Sequence, residues 1–189
     1  LITNIGKEHL EFFINLEGVR KEEAVLFDYL SKNSGMIFLN ENDELVKKSA
    51  VGMKKKKSYG FQGKSDYKGI INPAGNNGTH ELQIVSKGKN LLTLKLSLPG
   101  KHSMTNALAA AVVGLEFGVN KNSIKDAMMN FKPSFGRMEL IDLNGIRFIK
   151  DCYNSNPDSL KYGLETLAQM KSKGKKYIVL GDMLEVGDR

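Results

Sequence analysis

The stretch LLTLKLSLPGKHSMTNALAAAVVGLEFG, residues 91–118, decides the fold because its hydrophobic period changes within it from two to about 3.6. The first part alternates leucine with polar residues, as expected for a strand with one buried face. Beyond Gly100 the apolar positions recur at helical spacing, and Gly118 is placed to end the helix. The stretch therefore predicts a strand followed by a helix that packs on the sheet. The alternating leucines are Leu92, Leu94, Leu96 and Leu98, and the helical stripe is Met104, Leu108, Ala111, Val112 and Leu115.

The residues upstream of this stretch predict an α/β fold with a mixed sheet. Glu81–Val85 can pair with the leucine strand through a turn at residues 87–90, which makes the sheet partly antiparallel. Further upstream a helical segment precedes a short strand at residues 35–40. Alternation of helices and short apolar strands is typical of α/β proteins. The apolar face of the upstream helix comprises Val19, Glu23, Leu26, Phe27 and Leu30.

A change of pattern after residue 131 indicates a domain boundary. A second helix is expected from Ser123 to Phe131, and residues 132–136 then combine helix breakers with no periodicity. We therefore expect a first domain over residues 1–134 and a second over residues 135–189.

The second domain reads as the start of another α/β unit. Its helix should run from Pro157 to about Lys171, with Asn156 as N-cap and proline at the first helical position. Its predicted strands are residues 138–142, 146–151 and 175–180, the first two joined by a turn at Asn144-Gly145, and its predicted buried helix face is Leu160, Leu164 and Leu167.

Composition limits the class of protein. The chain has 189 residues, of which 41% are hydrophobic and 26% charged, as in ordinary soluble proteins. Its longest apolar stretch, residues 107–115, falls far short of the ~20 residues of a membrane helix. The single Cys152 cannot form an internal disulfide, and no signal-peptide pattern opens the chain, so we expect a cytoplasmic protein. Both ends read as cuts through a larger protein.

The net charge of +7 raises the question of nucleic acid. Four of the lysines form one run, Lys54–Lys57, and no recognition motif accompanies them. We interpret the run as a solvated loop or an edge strand, and we expect no nucleic-acid partner. A mild positive excess also suits polyanionic small molecules.

The most polar strand end is Asp151–Asn156, with sequence DCYNSN. In open α/β sheets, ligands collect at the carboxyl ends of strands. Asp151 could accept from sugar hydroxyls, Tyr153 offers an aromatic face, and Asn154 and Asn156 offer amides. The alternative is a turn that is rich in asparagine because asparagine tolerates turn geometry and caps helices. The sequence leaves both interpretations open.

His9 and Glu23 are candidates for a metal site. His9 follows the first predicted strand, but magnesium prefers oxygen ligands, so a lone histidine there is more often a loop or cap residue. Glu23 lies on the apolar face of its helix, where an unpaired carboxylate would be costly to bury. Either a cation faces Glu23, or the helix is rotated so that its side chain reaches water.

Two further positions could hold anions. Arg137 directly follows the predicted boundary, and its guanidinium fork suits phosphate, although it could equally be a surface arginine. Gly100 and His102 precede a helix that carries Asn106, which is the pattern of an anion-binding helix start. Neither signal is specific alone.

Taken in order, these segments resemble the Mur ligase family, and in particular its D-alanyl-D-alanine-adding branch. The tyrosine-asparagine and leucine-glycine-aspartate-methionine segments favour that branch over its siblings. The matching segments are residues 2–6 with 9–11, 16–19, 100–102 with 106–111, 136–137, then Asp151 with residues 153–154 and 156–159, and residues 180–183 with Glu185.

The resemblance implies a fold and a reaction. The fold would be part of a central ATPase domain with a mixed sheet, followed by the start of a Rossmann-like C-terminal domain. ATP would phosphorylate the carboxylate of a UDP-N-acetylmuramoyl tripeptide, with Mg²⁺, and D-alanyl-D-alanine would displace the phosphate. The intact enzyme would be a monomer, and this piece, without the family's phosphate loop, would be inactive alone. By match, His9 would bind magnesium, Asn106 would contact adenine, Arg137 would contact phosphate and act in catalysis, and Asp151 would contact ribose or another part of the nucleotide. Glu23 would serve magnesium although it departs from the family residue. Tyr153, Asn154 and Asn156 would line the nucleotide side of the loop, whereas Asp182 and Glu185 match without an assigned role.

Three positions depart from the family pattern. Glu23 stands where the family usually has a carbamylated lysine. A glutamate supplies a carboxylate without that modification. Ser103 replaces a common asparagine, and Lys150 replaces an aspartate. The alternatives are another Mur-type or folylpolyglutamate-type amide ligase, or a non-catalytic binding protein that kept the fold.

Overall fold

The computed structural model describes residues 1–73, 80–96 and 100–184, so Leu98 and Glu185 lie outside the described residues. Six helices and seven strands are assigned in this part of the chain. The helices are α1 Leu10–Phe13, α2 Leu16–Lys32, α3 Glu44–Ser49, α4 Lys101–Glu116, α5 Lys121–Met129 and α6 Pro157–Gln169. The strands are β1 Ile37–Asn40, β2 Lys56–Gly60, β3 Tyr67–Pro73, β4 His80–Ser86, β5 Lys89–Leu96, β6 Glu139–Leu143 and β7 Ile146–Lys150.

The first five strands form one mixed sheet in the order β1-β2-β3-β4-β5. β1, β2 and β3 are parallel, whereas β3, β4 and β5 are antiparallel, which confirms the predicted change of direction. Lys87 and Gly88 form the turn between β4 and β5 with φ of 49° and 74°. Two positive φ angles are what a tight hairpin turn requires, because they match the right-handed twist of the strands.

The sheet separates two hydrophobic cores. Side chains alternate along β1, so Phe38 joins the core under α4 and α5, while Ile37 and Leu39 join the core under α2 and α3. Leu108 on α4 is fully buried against the first face. On the second face Ile2 pairs as an isolated parallel bridge with Leu39 and extends the sheet edge.

The first unit is the five-stranded sheet with helices α1 to α5. Its helices α2, α4 and α5 follow the predicted apolar stripes, except that α2 is rotated. α4 ends as predicted, with Gly118 at φ 75° directly after its C-cap, and α5 begins two residues before the predicted start, at Lys121, after the capping side chain of Asn120. In α2, Val19 and Phe27 are buried while Leu26 and Glu23 are exposed. The helix is therefore rotated so that Glu23 reaches water, and its carboxylate needs no cation to offset burial.

The second unit consists of β6, β7 and α6, which are the predicted hairpin and helix. β6 and β7 pair antiparallel through Asn144 and Gly145, which have φ of 50° and 78°. Asn156 caps α6 by accepting from the backbone N–H of Ser159, whose hydroxyl accepts in return from the Asn156 N–H, so both amide groups at the helix start are satisfied. The division of the chain at residue 134 stays a prediction.

Three predictions about packing were wrong. Residues 175–180 form no strand, and Val179 is 96% exposed, because no described strand lies beside this segment to pair with it. The leucine face of α6 is only partly covered, and Thr166 is the buried residue of that helix. The lysine run was predicted to be a loop or an edge strand, but its last two residues, Lys56 and Lys57, begin β2, which is an inner strand. Lys57 is paired there with Glu116 at 3.0 Å.

Among residues 1–73, 80–96 and 100–184, no helix combines the length and the apolar character that crossing a bilayer requires.

Candidate functional site

A cavity of about 950 Å³ lies between the five-stranded sheet unit and the loop that follows β7. One wall consists of the residues at the carboxyl ends of β1 and β2 and the start of α4. The other wall is the loop after β7 and the first turns of α6. Six predicted nucleotide-site residues line this cavity, namely Asn106, Arg137, Asp151, Tyr153, Asn154 and Asn156.

The first wall begins where β1 ends, at the buried residue Asn40. The Asn40 amide donates to the carbonyl of Thr3 at 2.7 Å, and its oxygen accepts from the Asn42 N–H at 3.0 Å. Asp43 caps α3 and also accepts from the Ile5 N–H at 3.1 Å. These bonds fix the N-terminal segment against the sheet, so residues 3–8 form a defined edge of the cavity.

α4 enters the cavity at its N-terminus. Its N-cap is Gly100, which has φ 83° and brings no side chain to cap the helix. An added Cβ there would lie 2.8 Å from the His102 ring and 2.9 Å from the hydroxyl oxygen of Thr166, so the close approach of α6 requires glycine. Asn106 lies nearly two turns beyond Gly100 and lines the cavity.

His102 packs between α4 and α6. Its ring centre lies 5.6 Å from that of Tyr162, and among the described residues its Nδ1 atom is buried without a hydrogen-bond partner. Burial lowers the pKa of His102, while the negative charge of Asp151 opposes this shift. The neutral imidazole is therefore favoured, and one ring nitrogen remains to be satisfied.

The loop after β7 is held by the linker that precedes β6. The carbonyl of Gly136 accepts from the N–H groups of Cys152 at 2.8 Å and Tyr153 at 3.1 Å, and Asp151 accepts from the Met138 N–H at 3.1 Å. The Arg137 guanidinium lies 4.1 Å from the centre of the Tyr153 ring. These contacts therefore join the linker to the loop and place Arg137 at the cavity.

The asparagine-rich loop has the turn and cap geometry of one interpretation, and it lies at the cavity, where the other interpretation would place it. Asn156 is a helix cap, and Asn154 accepts from the Ser155 N–H at 2.9 Å within the turn. Both residues nevertheless line the cavity. Turn geometry and ligand access are thus combined in the same segment.

Of the two predicted metal residues, His9 lines a small recess beside this site and Glu23 does not. His9 adopts a left-handed conformation with φ 51°, begins α1 and meets the edge of the Phe13 ring. A small recess contains Glu8 and His9 together with Asn154 and Asn156. Glu23 lines neither cavity, and the described residues contain no group of three metal-binding side chains.

Acidic side chains nevertheless approach one another here. Burial raises the pKa of Glu8, and the negative charges of Glu23 and Asp158 raise it further, while His9 acts in the opposite direction. Asp158 accepts a hydrogen bond from the Lys7 N–H at 2.8 Å. Glu8 and Asp158 thus form an acidic edge of the cavity beside the nucleotide-site residues, and the charge of Glu23 also acts on Glu8.

Several cavity residues were missed from the sequence. Asn40 ends β1 and Asp43 follows it, so both could have been found by the same strand-end argument that selected Asp151. Glu8 and Tyr162 carry no comparable signal, because their positions depend on how the two parts of the chain pack. Asp158 lies in the first turn of α6, and its bond to Lys7 is visible only in three dimensions.

Comparison with known proteins agrees with this architecture. The Mur ligase middle domain family matches residues 1–114, and the family described as Mur ligase, glutamate ligase domain matches residues 136–189. The chain belongs to the Mur ligase family.

Curated members of the Mur ligase family match along almost the whole chain. The UDP-N-acetylmuramoyl-tripeptide–D-alanyl-D-alanine ligase of Escherichia coli (strain K12) is 33% identical over 99% of this chain and 41% of its own length. The UDP-N-acetylmuramate–L-alanine ligase of Caldicellulosiruptor saccharolyticus is 32% identical over 95% of this chain and 39% of its own length. This Mur ligase chain thus spans about 40% of the curated relatives it matches.

A crystal structure of MurF from Acinetobacter baumannii has the same fold. It superposes with a TM-score of 0.85 at 25% identity and covers 99% of this Mur ligase chain and 40% of that protein.

Proposed function

We propose that the intact protein is an ATP-dependent amide ligase that joins D-alanyl-D-alanine to a UDP-N-acetylmuramoyl tripeptide in peptidoglycan precursor synthesis. The observation that carries the proposal is the shared cavity, in which Arg137, Asp151 and Tyr153 from the second unit meet Asn106 from the first. Its volume of about 950 Å³ suits a nucleotide with room for a second substrate. Family membership supports the same reaction class.

The cavity residues offer the groups that a nucleotide needs. The amide of Asn106 can donate to and accept from an adenine edge, and the carboxylate of Asp151 can accept from ribose hydroxyls. The fork of Arg137 suits phosphate oxygens, because it places two N–H donors side by side. Tyr153, Asn154 and Asn156 complete the wall of the loop.

The acidic edge fits a magnesium ion with an incomplete protein shell. Mg²⁺ usually takes one or two carboxylates and fills its remaining positions with water and phosphate oxygens. Glu8 and His9 line one recess, and the negative charge of Glu23 acts on Glu8, so these residues would hold the ion. When bound, Mg²⁺ would neutralise negative charge on the transferred phosphoryl group.

The chemistry needs positioned charge rather than a protein nucleophile. A carboxylate oxygen of the tripeptide takes the γ-phosphoryl group of ATP, and ADP leaves. The amine of D-alanyl-D-alanine then attacks the acyl carbon, the bond to phosphate breaks, and the nitrogen loses a proton to give the amide. Arg137 stabilises the charge on the phosphoryl oxygens, and its stacking on Tyr153 keeps it in place without reorganisation.

One alternative lies within the same family. The L-alanine-adding relative is 32% identical to the chain and the D-alanyl-D-alanine-adding relative is 33% identical, so identity alone does not separate the two branches. The intact protein would then add L-alanine to UDP-N-acetylmuramate. The nucleotide site proposed above would be the same in either case.

The test is phosphate release by the full-length protein with each pair of substrates. We expect release with D-alanyl-D-alanine and the UDP-linked tripeptide, and none with L-alanine and UDP-N-acetylmuramate. Release only with L-alanine would reject the proposed branch, and the absence of ATP turnover with any amine would reject the ligase. Arg137→Lys, which keeps the charge and loses the fork, should reduce turnover in whichever reaction is found.

The proposed reaction also implies a cell compartment and an oligomeric state for the intact protein. An enzyme that consumes ATP and a UDP-linked precursor belongs in the cytoplasm, and the free Cys152 suits a reducing compartment. We propose that the intact enzyme is a monomer, which light scattering of the full-length protein in solution would test.

A further inference from the structure

One hydrogen bond joins the two units across the rim of the cavity. The carboxylate of Asp158, in the first turn of α6, accepts from the backbone N–H of Lys7 at 2.8 Å, although the two residues are 151 positions apart. Lys7 belongs to the segment that leads into Glu8 and His9, whereas α6 follows directly from the Asp151–Asn156 loop. The bond therefore connects the two sides of the proposed site.

The fit around this bond is close. A Cβ added at Gly6 would lie 3.0 Å from the same oxygen of Asp158, which is tighter than ordinary van der Waals contact. Two positions after Gly6, Glu8 donates its N–H to the Gly6 carbonyl at 3.0 Å. The Gly6–His9 segment is thus shaped to bring one N–H group and no side chain toward Asp158.

Attraction between charges does not explain the contact. Asp158 lies near Glu8, and its negative charge raises the pKa of that residue, so the two carboxylates repel. The donor to Asp158 is a backbone N–H. It needs an acceptor oxygen, and that oxygen need not carry a charge. An amide oxygen in the same place could accept this bond equally well.

From these observations we infer that Asp158 is a positioning residue for the proposed ligase, which docks the Gly6–His9 segment onto α6 and holds the two units closed over the cavity. The inference rests on the proposed function for its kinetic consequence, but the docking itself does not depend on the substrate. Loss of the bond lowers the share of closed molecules, and the apparent affinity for nucleotide falls in proportion.

The experiment uses the full-length protein with Asp158→Ala and Asp158→Asn. Spin labels at Val51→Cys and Gln169→Cys, both exposed positions in different units, report the distance between the units with ADP bound, in a Cys152→Ser background. We expect Asp158→Ala to shift molecules to longer distances and to raise the KM for ATP about 3- to 10-fold, the range of one ordinary hydrogen bond. Asp158→Asn should stay within about twofold of the wild type because it keeps the acceptor. Asp142→Ala is the matched control, since that carboxylate is bonded to Arg147 in the hairpin.

A double-mutant cycle with Gly6→Ala gives an independent measure. The added methyl group should weaken docking when Asp158 is present and have a much smaller effect in the Asp158→Ala background, because the crowded oxygen is gone. An unchanged melting temperature separates loss of docking from loss of fold. If Asp158→Ala does not fold, Gly6→Ala alone should still lengthen the distance.

The outcomes separate this inference from the proposed function. Unchanged distances and kinetics in Asp158→Ala, additive effects in the cycle, or Asp158→Asn as impaired as Asp158→Ala would overturn the docking role while the ligase stands. A shift in distance without any amide synthesis by the wild type would keep the docking role and reject the ligase.

Discussion

The guanidinium of Arg137 stacks on the ring of Tyr153, with 4.1 Å between its central carbon and the ring centre. Arg137 precedes β6 and Tyr153 follows β7, so the contact closes the base of the hairpin as well as placing a cation at the cavity. A guanidinium held over an aromatic ring by a cation–π contact keeps N–H groups that can bind a phosphate. One aromatic side chain thus orients the residue that we propose to stabilise the transferred phosphoryl group.

Replacement of Tyr153 should therefore act through Arg137. In the full-length protein, Tyr153→Ala should weaken ATP binding about 2- to 5-fold, the effect of an exposed cation–π contact of roughly 0.5–1 kcal/mol. Tyr153→Phe keeps the aromatic face and should bind ATP almost as the wild type does. Calorimetric titration with a non-hydrolysable ATP analogue measures both, and equal losses in the two variants would show that the hydroxyl rather than the stacking matters.

Asp151 has a structural bond as well as a proposed ligand role. It accepts from the Met138 N–H at 3.1 Å, so Asp151→Ala should lower the free energy of unfolding by about 1 kcal/mol and raise the KM for ATP more strongly than that loss explains. Asp151→Asn keeps an acceptor for Met138 and should keep the stability. Urea unfolding and ATP kinetics on the same preparations check this, and unchanged ATP kinetics in Asp151→Ala would count against the ribose contact.

The depressed pKa of His102 makes stability depend on pH. Folding lowers the pKa of His102 below its usual value of 6.5. As the pH falls through that value, the unfolded chain therefore binds more protons than the folded chain does. Stability should therefore be fully present above about pH 6.5 and decline below it. We expect His102→Gln to flatten this decline between about pH 7.5 and about pH 5.5 in urea unfolding of the full-length protein. An identical decline in both proteins would place its origin elsewhere.

The elements that could be predicted are those fixed by local sequence. The two hairpin turns, the N-cap of α6 and the stripe of α4 each depend on residues within a few positions of one another, so pattern and turn chemistry suffice. The segment at residues 175–180 has the composition of a strand but remains exposed, because a strand needs a neighbour and no pattern within the segment supplies one. The exposure of Glu23 likewise follows from the packing of Val19 and Phe27 under the sheet, which sets the rotation of α2.

The candidate site was predictable only in part, through the loop after β7 and the start of α4. The rule that ligands collect at strand ends selected the Asp151–Asn156 loop, and that loop lines the cavity. The opposite wall at Asn40 and Asp43 follows the same rule, yet its residues form hydrogen bonds with the N-terminal segment and read as turn residues in the sequence. The bond between Asp158 and Lys7 could not be predicted, because its donor is a backbone group that every residue but proline has.

Glu23 provides a test of the metal assignment. The residue is exposed on α2, and its charge raises the pKa of Glu8, so the two carboxylates act on a common region near His9. If Glu23 contributes charge to a magnesium site, Glu23→Gln in the full-length protein should raise the Mg²⁺ concentration for half-maximal ATP turnover about 3- to 10-fold, the effect of one nearby carboxylate near a protein surface.

The neighbouring residue supplies the matched control for that substitution. Glu22 is also exposed and precedes Glu23 on α2, but a one-residue step turns its side chain by about 100° around the helix. Glu22→Gln removes the same charge from the same helix, so it should leave the Mg²⁺ requirement unchanged if position matters. Equal shifts in both variants would indicate a general electrostatic effect, and no shift in Glu23→Gln would remove this residue from the metal site and leave Glu8 and His9 as its candidates.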